Sequence, residues 1–207
     1  MAIYDITLPL RPEQPPWPGD SPFHQQPKKA IDGDGYCNTS ELTMASHFGT
    51  HMDAPYHFEP DGITIDQVDP QILVGPCLVH AVDTPDLIQA EHLPDLAGVE
   101  RIIFKTSNTH FIADTVFHTD YVSIGLSAAQ ALTQAGVKLV GLDYFSIEAY
   151  KAEGHPVHHE LCGKGVILLE GPDLRAIEPG RYELIVLPLK IQNGDGSPVR
   201  AVLRERY

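Results

Sequence analysis

The segment SHFGTHMDAPYHF, residues 46–58, gathers side chains that can donate lone pairs. Four of them fall within eleven positions: His47, His51, Asp53 and His57. His51 and Asp53 are two apart, so an extended chain would place both side chains on the same side. Gly49, between the first two histidines, and Pro55, just after Asp53, argue against a long regular helix. We therefore expect a strand end that runs into a tight turn, with the donor side chains converging.

Neutral imidazole and carboxylate together suit Zn²⁺, Mn²⁺ or Fe²⁺, whereas Ca²⁺ and Mg²⁺ prefer oxygen ligands alone. The alternative interpretation is a polar loop with a few surface histidines. Four donors in so short a segment, on a backbone shaped by glycine and proline, favour a metal or catalytic site. No glutamate follows the first histidine, so the segment is not the HExxH pattern of zinc proteases.

A second patch rich in donors is GHPVHHELCGKGVILLEG, residues 154–171. Glu170 ends the apolar run VILLE, which predicts that its carboxylate lies at a strand end beside the core. A buried carboxylate needs a partner, and a cation is a suitable one. A solvated glutamate is the alternative. Spacing alone leaves open which donors of this patch bind: His155, His158, His159, Glu160 and Glu170.

The composition excludes several functional classes. The 207 residues, 43% hydrophobic and 20% charged, predict one globular domain over residues 1–207. A formal charge of −14 without a basic run argues against nucleic acid and anionic membranes as partners. No apolar run has the length that spans a bilayer, and the N-terminal sequence lacks signal-peptide features. Three widely spaced cysteines argue against a disulfide framework, so we expect a reducing cytoplasm.

The pattern predicts a mixed α/β chain that is rich in strands. One helix is predicted at SAAQALTQAG, with Ser127 as its cap, Gln130 completing a capping box and Gly136 ending it. The proline-rich arm, residues 9–27, should run extended over a surface. Apolar and β-branched runs bounded by glycine, proline or aspartate predict seven strands, near residues 3–8, 40–45, 74–82, 100–106, 137–143, 165–170 and 182–189.

The motif HFGTHMDAPYHF resembles the HxGTHxDxPxH signature of the cyclase-like metal-dependent hydrolases, a family that includes bacterial kynurenine formamidases and isatin hydrolases. The likeness extends along the chain through YDITLPL with WPGD, GPCLV, GVKLVGLD, VILLEG and YELIVLPLK…GSPVRAVL. The resemblance implies the α/β, cyclase-like swivelling β/β/α fold. It also implies a homodimer or higher oligomer, with the proline-rich arm packed between subunits.

The resemblance also implies roles for individual residues. His47, His51 and Asp53 would be metal ligands, with Asp53 bridging two ions, and His57 would be the general acid and base. His158 would be a further ligand, because it precedes Glu170 by the twelve positions that separate a metal-binding histidine from a metal-bridging glutamate in the formamidases. His155 and His159 would be neighbours of the ligands.

Trp17 matches a tryptophan that lines the substrate pocket of the formamidases. A packed aromatic residue on the arm is the alternative interpretation for Trp17.

The function implied is hydrolysis of a C–N amide bond by water that two divalent ions activate, Zn²⁺ being favoured and Mn²⁺ possible. The leading substrate is N-formylkynurenine, which would give kynurenine and formate in tryptophan catabolism. The formamidases tend to have GAHxDAPLHY where this chain has GTHMDAPYHF. The metal chemistry therefore transfers, while the substrate stays open.

Three other interpretations are compatible with parts of the sequence. Isatin-type lactam hydrolysis would use the same site, and a non-enzymatic metal-binding module would keep the ligands without needing His57 or Trp17. A cysteine nucleophile is conceivable because Cys162 lies near His158 and His159 in sequence. No GxSxG elbow is present, so an α/β-hydrolase route is not indicated.

Two glycine-rich segments are interpreted as turns. DGDGYCNTSE at 32–41 has a cysteine where an EF-hand loop needs its glycine, so it predicts a turn. NGDGSP at 193–198 likewise predicts a turn.

Overall fold

The structure is a computed structural model that describes residues 2–31 and 35–205. The strands are β1 (Ile3–Asp5), β2 (His24–Lys29), β3 (Thr39–Thr43), β4 (His51–Asp53), β5 (Val74–Ala81), β6 (Leu87–Ile88), β7 (Arg101–Lys105), β8 (Ser123–Ile124), β9 (Leu139–Leu142), β10 (Ile167–Glu170), β11 (Gly180–Pro188) and β12 (Gly196–Glu205). The α-helices are α1 (Pro70–Leu73), α2 (Leu126–Gln134) and α3 (Pro156–Cys162). Short 3-10 helices span Pro55–His57, Ile65–Gln67, Ala90–His92 and Ser107–His110.

The main sheet closes on itself. Its order is β1-β12-β11-β5-β7-β9-β10-β4, and β4 also pairs with β12. The pairs among β5, β7, β9 and β10 are parallel, while β4 runs antiparallel to both of its neighbours. In this register His51 lies opposite Glu170, and Asp53 lies opposite Leu168 on one side and Gly196 on the other. The closing strand therefore brings the two donor-rich patches of the sequence together.

Strand alternation divides the apolar side chains between two layers. Met52 and Leu169 belong to the cluster inside the closed sheet. Leu168 belongs to the cluster between the sheet and the helices α2 and α3. His51 and Asp53 flank Met52 and Glu170 follows Leu169, so all three carboxylate and imidazole side chains point to the face that α3 covers. The two-residue alternation that places Met52 and Leu169 in the core therefore places the donor side chains on the opposite face of the sheet.

The prediction of a mixed α/β chain that is rich in strands is confirmed. Each of the seven predicted strands overlaps an observed strand, and Gly136 follows α2 with a left-handed φ of +77°. The prediction that Ser127 caps α2 is wrong, because Gly125 is the N-cap. The Ser127 hydroxyl instead donates to Gln89 Oε1 at 2.5 Å, a tertiary partner that sequence spacing cannot reveal. The strand end expected in the histidine-rich segment is β4, whereas the pattern did not predict β2, β6, β8, β12, α1 or α3.

The proline-rich arm differs from the expected extended surface segment. Turns and bends at residues 12–14 and 17–20 interrupt it, and its last residues, from His24, enter a strand. Gln14 and Phe23 are buried, and Phe23 stacks on Phe48 of the histidine-rich segment at 6.0 Å between ring centroids. The arm therefore packs against the segment that carries the first donors.

Residues 32–34, which begin the turn predicted at 32–41, lie outside the described residues, whereas NGDGSP does contain a turn. Within residues 2–31 and 35–205, no helix combines the length and apolar character needed to cross a membrane.

Candidate metal centre and active site

A cavity of about 320 Å³ opens at the face where β4 and α3 meet. Three of the predicted donors, His51, His158 and Glu170, are nearly inaccessible to solvent, and His47 is half-buried. Asp53 lies just beneath, 1% exposed. The cavity is lined by Trp17, Asp20, His47, His51, His57, Phe58, Phe145, Ser146, Glu148, Ala149, Lys151, His155, His158 and Glu170.

The first donor group comes from one turn and one strand. His47 lies in the turn before β4, and its Nδ1 is 2.7 Å from Asp53 Oδ1. His51 Nε2 lies 3.4 Å from the same oxygen, as expected for residues two apart in a strand. The Nδ1–H of His51 faces the Gly49 carbonyl oxygen at 3.0 Å, which leaves Nε2 directed at the carboxylates. Three donors of the SHFGTHMDAPYHF segment therefore converge as predicted.

The second group joins β10 to α3. His51 Nε2 is 3.2 Å from Glu170 Oε2, and His158 Nε2 is 3.6 Å from Glu170 Oε1. Donor atoms of Asp53, His158 and Glu170 lie within 4.8 Å of one another, as do those of His47, His51 and Asp53. Asp53 belongs to both groups, so the two sets of donors share one carboxylate.

The neighbouring histidines have other partners. His159 projects to the exposed side of α3 and bonds Glu59 at 2.8 Å through its Nδ1. His155 lines the cavity, with Nδ1 3.4 Å from Glu148. Glu160, on the same helix, accepts a hydrogen bond from the Thr133 hydroxyl at 2.7 Å. Of the second patch, only His158 and Glu170 lie in a donor group with Asp53.

His57 and Trp17 also reach the cavity. The His57 ring stacks on the His47 ring with 4.0 Å between centroids. Trp17 packs edge-on against Phe117 at 5.2 Å and Tyr150 at 5.5 Å. The indole therefore packs in an aromatic cluster and lines the cavity as well.

The carboxylates set the electrostatics of the site. Burial disfavours a charged His47, yet the Asp53 charge and the Asp195 hydrogen bond outweigh it and raise the pKa of His47 to about 10. Burial is likewise outweighed at His51 and His158, where bonds to acidic partners raise each pKa to about 9. Burial would raise the pKa of Asp53, but the nearby His47 holds it well below its usual value. The buried carboxylates thus demand positive charge around them.

His57 behaves differently from these histidines. Protein atoms packed around part of its ring lower its pKa, and the attraction of Asp53 only partly opposes that shift. Its imidazole is therefore neutral at pH 7 and able to accept a proton.

The donor set fits a divalent metal. Three imidazoles and two buried carboxylates are the ligands that Zn²⁺ and Mn²⁺ accept. The separations of 3.2–3.6 Å between Nε2 of His51 or His158 and the carboxylate oxygens lie at or beyond the upper end of the usual N–H···O range, whereas His47 Nδ1 lies 2.7 Å from Asp53 Oδ1. These residues would hold a shared divalent cation, which would supply Lewis acidity at the cavity.

Two acidic residues that the sequence did not indicate support the histidines. Glu148 is buried, and its Oε2 is 2.6 Å from His158 Nδ1, so it fixes the ring with Nε2 towards Glu170. Asp195, in the turn NGDGSP, is 2.6 Å from His47 Nε2. Glu148 lies in a loop ten positions before His158, and Asp195 lies in a turn 148 positions after His47. In the sequence, the signal for both residues is a carboxylate in a segment that the pattern predicts to be a connection.

Gly196 allows β12 to approach the site closely. A Cβ at this position would lie 2.6 Å from His47 Cε1 and 2.7 Å from the Met52 carbonyl oxygen. Since real Cβ atoms do not approach so near, a side chain here would displace either the imidazole or β4. Gly196 therefore leaves the space that the His47 imidazole occupies.

Cys162 is buried in the layer between α3 and the sheet. Burial raises the pKa of its thiol far above its usual value, with further increases from nearby carboxylates. A thiolate is thus strongly disfavoured, which argues against the cysteine-nucleophile interpretation.

Comparisons with known proteins agree with this geometry. The Cyclase family model matches residues 4–149. A kynurenine formamidase of Geobacillus thermodenitrificans (strain NG80-2) is 38% identical over 203 residues, which cover 97% of this chain and 96% of the relative. The solved structure of a predicted metal-dependent hydrolase from Bacillus stearothermophilus has a TM-score of 0.84 and 31% identity, and the match covers 98% of this chain and 97% of that one. Isatin hydrolase A from Labrenzia aggregata, 22% identical, shares the fold with a TM-score of 0.84 over 98% of this chain and 93% of its own. The chain therefore belongs to the cyclase-like family of metal-dependent hydrolases.

Proposed function

We propose that this chain is a metal-dependent amidohydrolase that cleaves the C–N bond of N-aryl formamides, with N-formylkynurenine as its leading substrate. The observation that carries the proposal is the pair of donor groups that share Asp53, at the base of a cavity lined by His57 and Trp17. Relatives named kynurenine formamidase, 35–38% identical over nearly the whole chain, support the choice of substrate.

In this proposal His47, His51, Asp53, His158 and Glu170 hold two divalent ions, Zn²⁺ being favoured and Mn²⁺ the alternative. Divalent cations, when bound, supply Lewis acidity that lowers the pKa of water from 15.7 to about 7 and polarises a carbonyl. Glu148 holds His158 by its Nδ1–H, and Asp195 orients His47.

His57 transfers the proton that the reaction requires. Its neutral imidazole accepts a proton as water attacks the formyl carbon and then donates it to the aniline nitrogen, which leaves poorly as an anion. The Trp17 indole contacts the aromatic ring and orients it in the cavity. The products are formate and the free aniline.

Lactam hydrolysis of the isatin type is the second candidate, favoured by the shared fold of the isatin hydrolases. A parallel assay of the purified chain with N-formylkynurenine and isatin, together with elemental analysis, distinguishes the two. We expect faster turnover of N-formylkynurenine and bound Zn or Mn, both abolished in Asp53→Ala. Preferential cleavage of isatin would favour the lactam function, and full activity after metal removal would refute the proposed function.

A further inference from the structure

The outer part of the cavity carries two charged side chains that the proposed chemistry does not use. Lys151 and Asp20 line the same cavity as His51 and Glu170. Lys151 and Asp20 are exposed, whereas His51 and Glu170 are buried. The two charged side chains therefore lie at the solvent end of the cavity. Among the described residues, no carboxylate oxygen lies within 4.0 Å of Lys151 Nζ. Its charge is therefore available to a ligand.

The position of Lys151 is defined by its surroundings. Its backbone is left-handed, with φ of +57°, a conformation that costs a non-glycine residue about 1 kcal/mol or more. Its Nζ lies over the Tyr150 ring, 5.1 Å from the centroid, and Tyr150 packs against Trp17 at 5.5 Å. The ammonium group thus lies over Tyr150, which itself packs against the cavity-lining Trp17.

Asp20 lies in the same turn as Trp17 and also lines the cavity. Its backbone N–H donates to the Trp17 carbonyl oxygen at 2.9 Å, and Gly19 in this turn has a φ of +108°. The turn that presents the indole therefore also presents the Asp20 carboxylate. A cation and an anion consequently lie near one aromatic surface, each fixed to it through the backbone.

N-formylkynurenine has complementary chemistry. A formamide is attached to one side of its aryl ring, and a ketone chain on the neighbouring carbon ends in an α-ammonium and an α-carboxylate. With the formamide at the buried donors and the ring beside Trp17, the charged tail extends towards solvent. Apart from Lys151 and Asp20, the ionisable lining residues are five histidines and the carboxylates of Glu148 and Glu170. Lys151 is the single lysine or arginine among the lining residues.

We propose that Lys151 and Asp20 form the subsite for the amino-acid end of the substrate, with Lys151 pairing with its α-carboxylate and Asp20 with its α-ammonium. The inference rests on the proposed function and deepens it, because it makes an amino-acid-bearing aryl formamide the preferred substrate class. Isatin has neither charged group and would gain nothing from this subsite.

The test uses three substrates that share one reacting group. These are N-formylkynurenine, 4-(2-formamidophenyl)-4-oxobutanoate, which lacks the ammonium, and 2′-formamidoacetophenone, which lacks the whole tail. The metal-loaded chain is compared with Lys151→Met, Asp20→Asn and Lys151→Arg. Lys164→Met is the matched control, because it removes an equal charge from an exposed residue that does not line the cavity.

We expect Lys151→Met to lower kcat/KM for both acids roughly tenfold relative to the acetophenone, mainly through KM, since a hydrogen bond between charged groups is lost. Asp20→Asn should lower the ratio of kcat/KM for N-formylkynurenine to kcat/KM for the oxobutanoate. Lys151→Arg should preserve the wild-type preference for the two acids over the acetophenone. If the ratio of kcat/KM for the acids to kcat/KM for the acetophenone is the same in Lys151→Met and Lys164→Met, the proposed subsite is overturned. A wild-type chain that cleaves the acetophenone without preferring N-formylkynurenine would overturn it too, while leaving an amidohydrolase. Failure to cleave any of the three would refute the proposed function itself.

Discussion

At the scale of single residues, three histidines of the site have raised pKa values and one has a lowered pKa. His47, His51 and His158 each contact a buried carboxylate, and their pKa values rise. His57 faces the cavity and its pKa falls. The same residue type therefore has two environments within a few ångströms, and the difference arises from carboxylate contacts.

Replacing His57 with alanine tests the proton-transfer role. We expect kcat for N-formylkynurenine to fall by about 10²–10⁴ while metal content stays near the wild-type level, because general acid–base catalysis is lost but the donors remain. Steady-state kinetics with elemental analysis on the same preparation measures both. His159→Ala, which removes an exposed histidine bonded to Glu59, is the control. Parallel loss of metal and activity would make His57 a ligand instead.

Glu148 offers a prediction about positioning. Glu148→Gln weakens the 2.6 Å contact that orients His158, so metal affinity should fall by about 10–100-fold. Competition with a chelating dye measures the affinity, and added metal should restore most of kcat. Glu160→Gln changes a carboxylate on α3 that bonds Thr133 instead, and it should leave metal affinity unaltered. An unchanged affinity in Glu148→Gln would contradict the orienting role.

At the scale of secondary structure, the three-residue strand β4 holds the site together. It pairs with β10 on one side and with β12 on the other, so it closes the sheet and places His51 opposite Glu170. A distortion of either neighbour should therefore reach the donors directly.

Gly196→Ala tests this coupling. The added Cβ would lie within 2.7 Å of both His47 and the β4 backbone, so we expect destabilisation by about 1–3 kcal/mol together with reduced metal content. Urea unfolding and elemental analysis measure the two effects. Gly180→Ala is the matched control in β11, where the nearest atom, on Tyr182, is 3.7 Å away. Loss of stability in Gly196→Ala with full metal occupancy would show that β12 does not position His47.

At the scale of the whole molecule, stability should depend on pH in opposite ways with and without metal. In metal-stripped protein, imidazoles with raised pKa values stabilise the fold below their unfolded pKa of 6.5, and this contribution is lost as pH rises through about 9–10. Metal binding requires the same rings to be deprotonated, so the stabilisation by metal grows with pH.

The gap between the Tm of metal-loaded and metal-stripped protein should therefore widen from pH 6 to pH 9. Thermal unfolding followed by circular dichroism, in buffers of matched ionic strength, measures it. Asp53→Ala, treated identically, should give a small gap at every pH because a shared ligand is missing. A constant gap in the wild-type chain would contradict ligation by the histidines.

The sequence by itself determined which chemistry this protein can carry. The histidines and the aspartate of SHFGTHMDAPYHF are candidate donors by residue type alone. Alternation over β4 predicts that the side chains of His51 and Asp53 lie on the same face. Apolar, β-branched runs predict the central strands, because strands buried on both faces must be apolar throughout. The segment VILLE predicts a buried end for Glu170, which its 3% exposure confirms.

Only the tertiary structure decided which distant groups meet. Glu148, Asp195 and Lys151 lie in connections whose course depends on how the sheet closes, and no local period encodes that closure. Ser127 lost its predicted capping role for a related reason, since Gln89 competes for its hydroxyl across 38 residues. Local propensity is a short-range property of the chain, whereas a metal site and a substrate pocket are made of contacts between segments far apart in sequence.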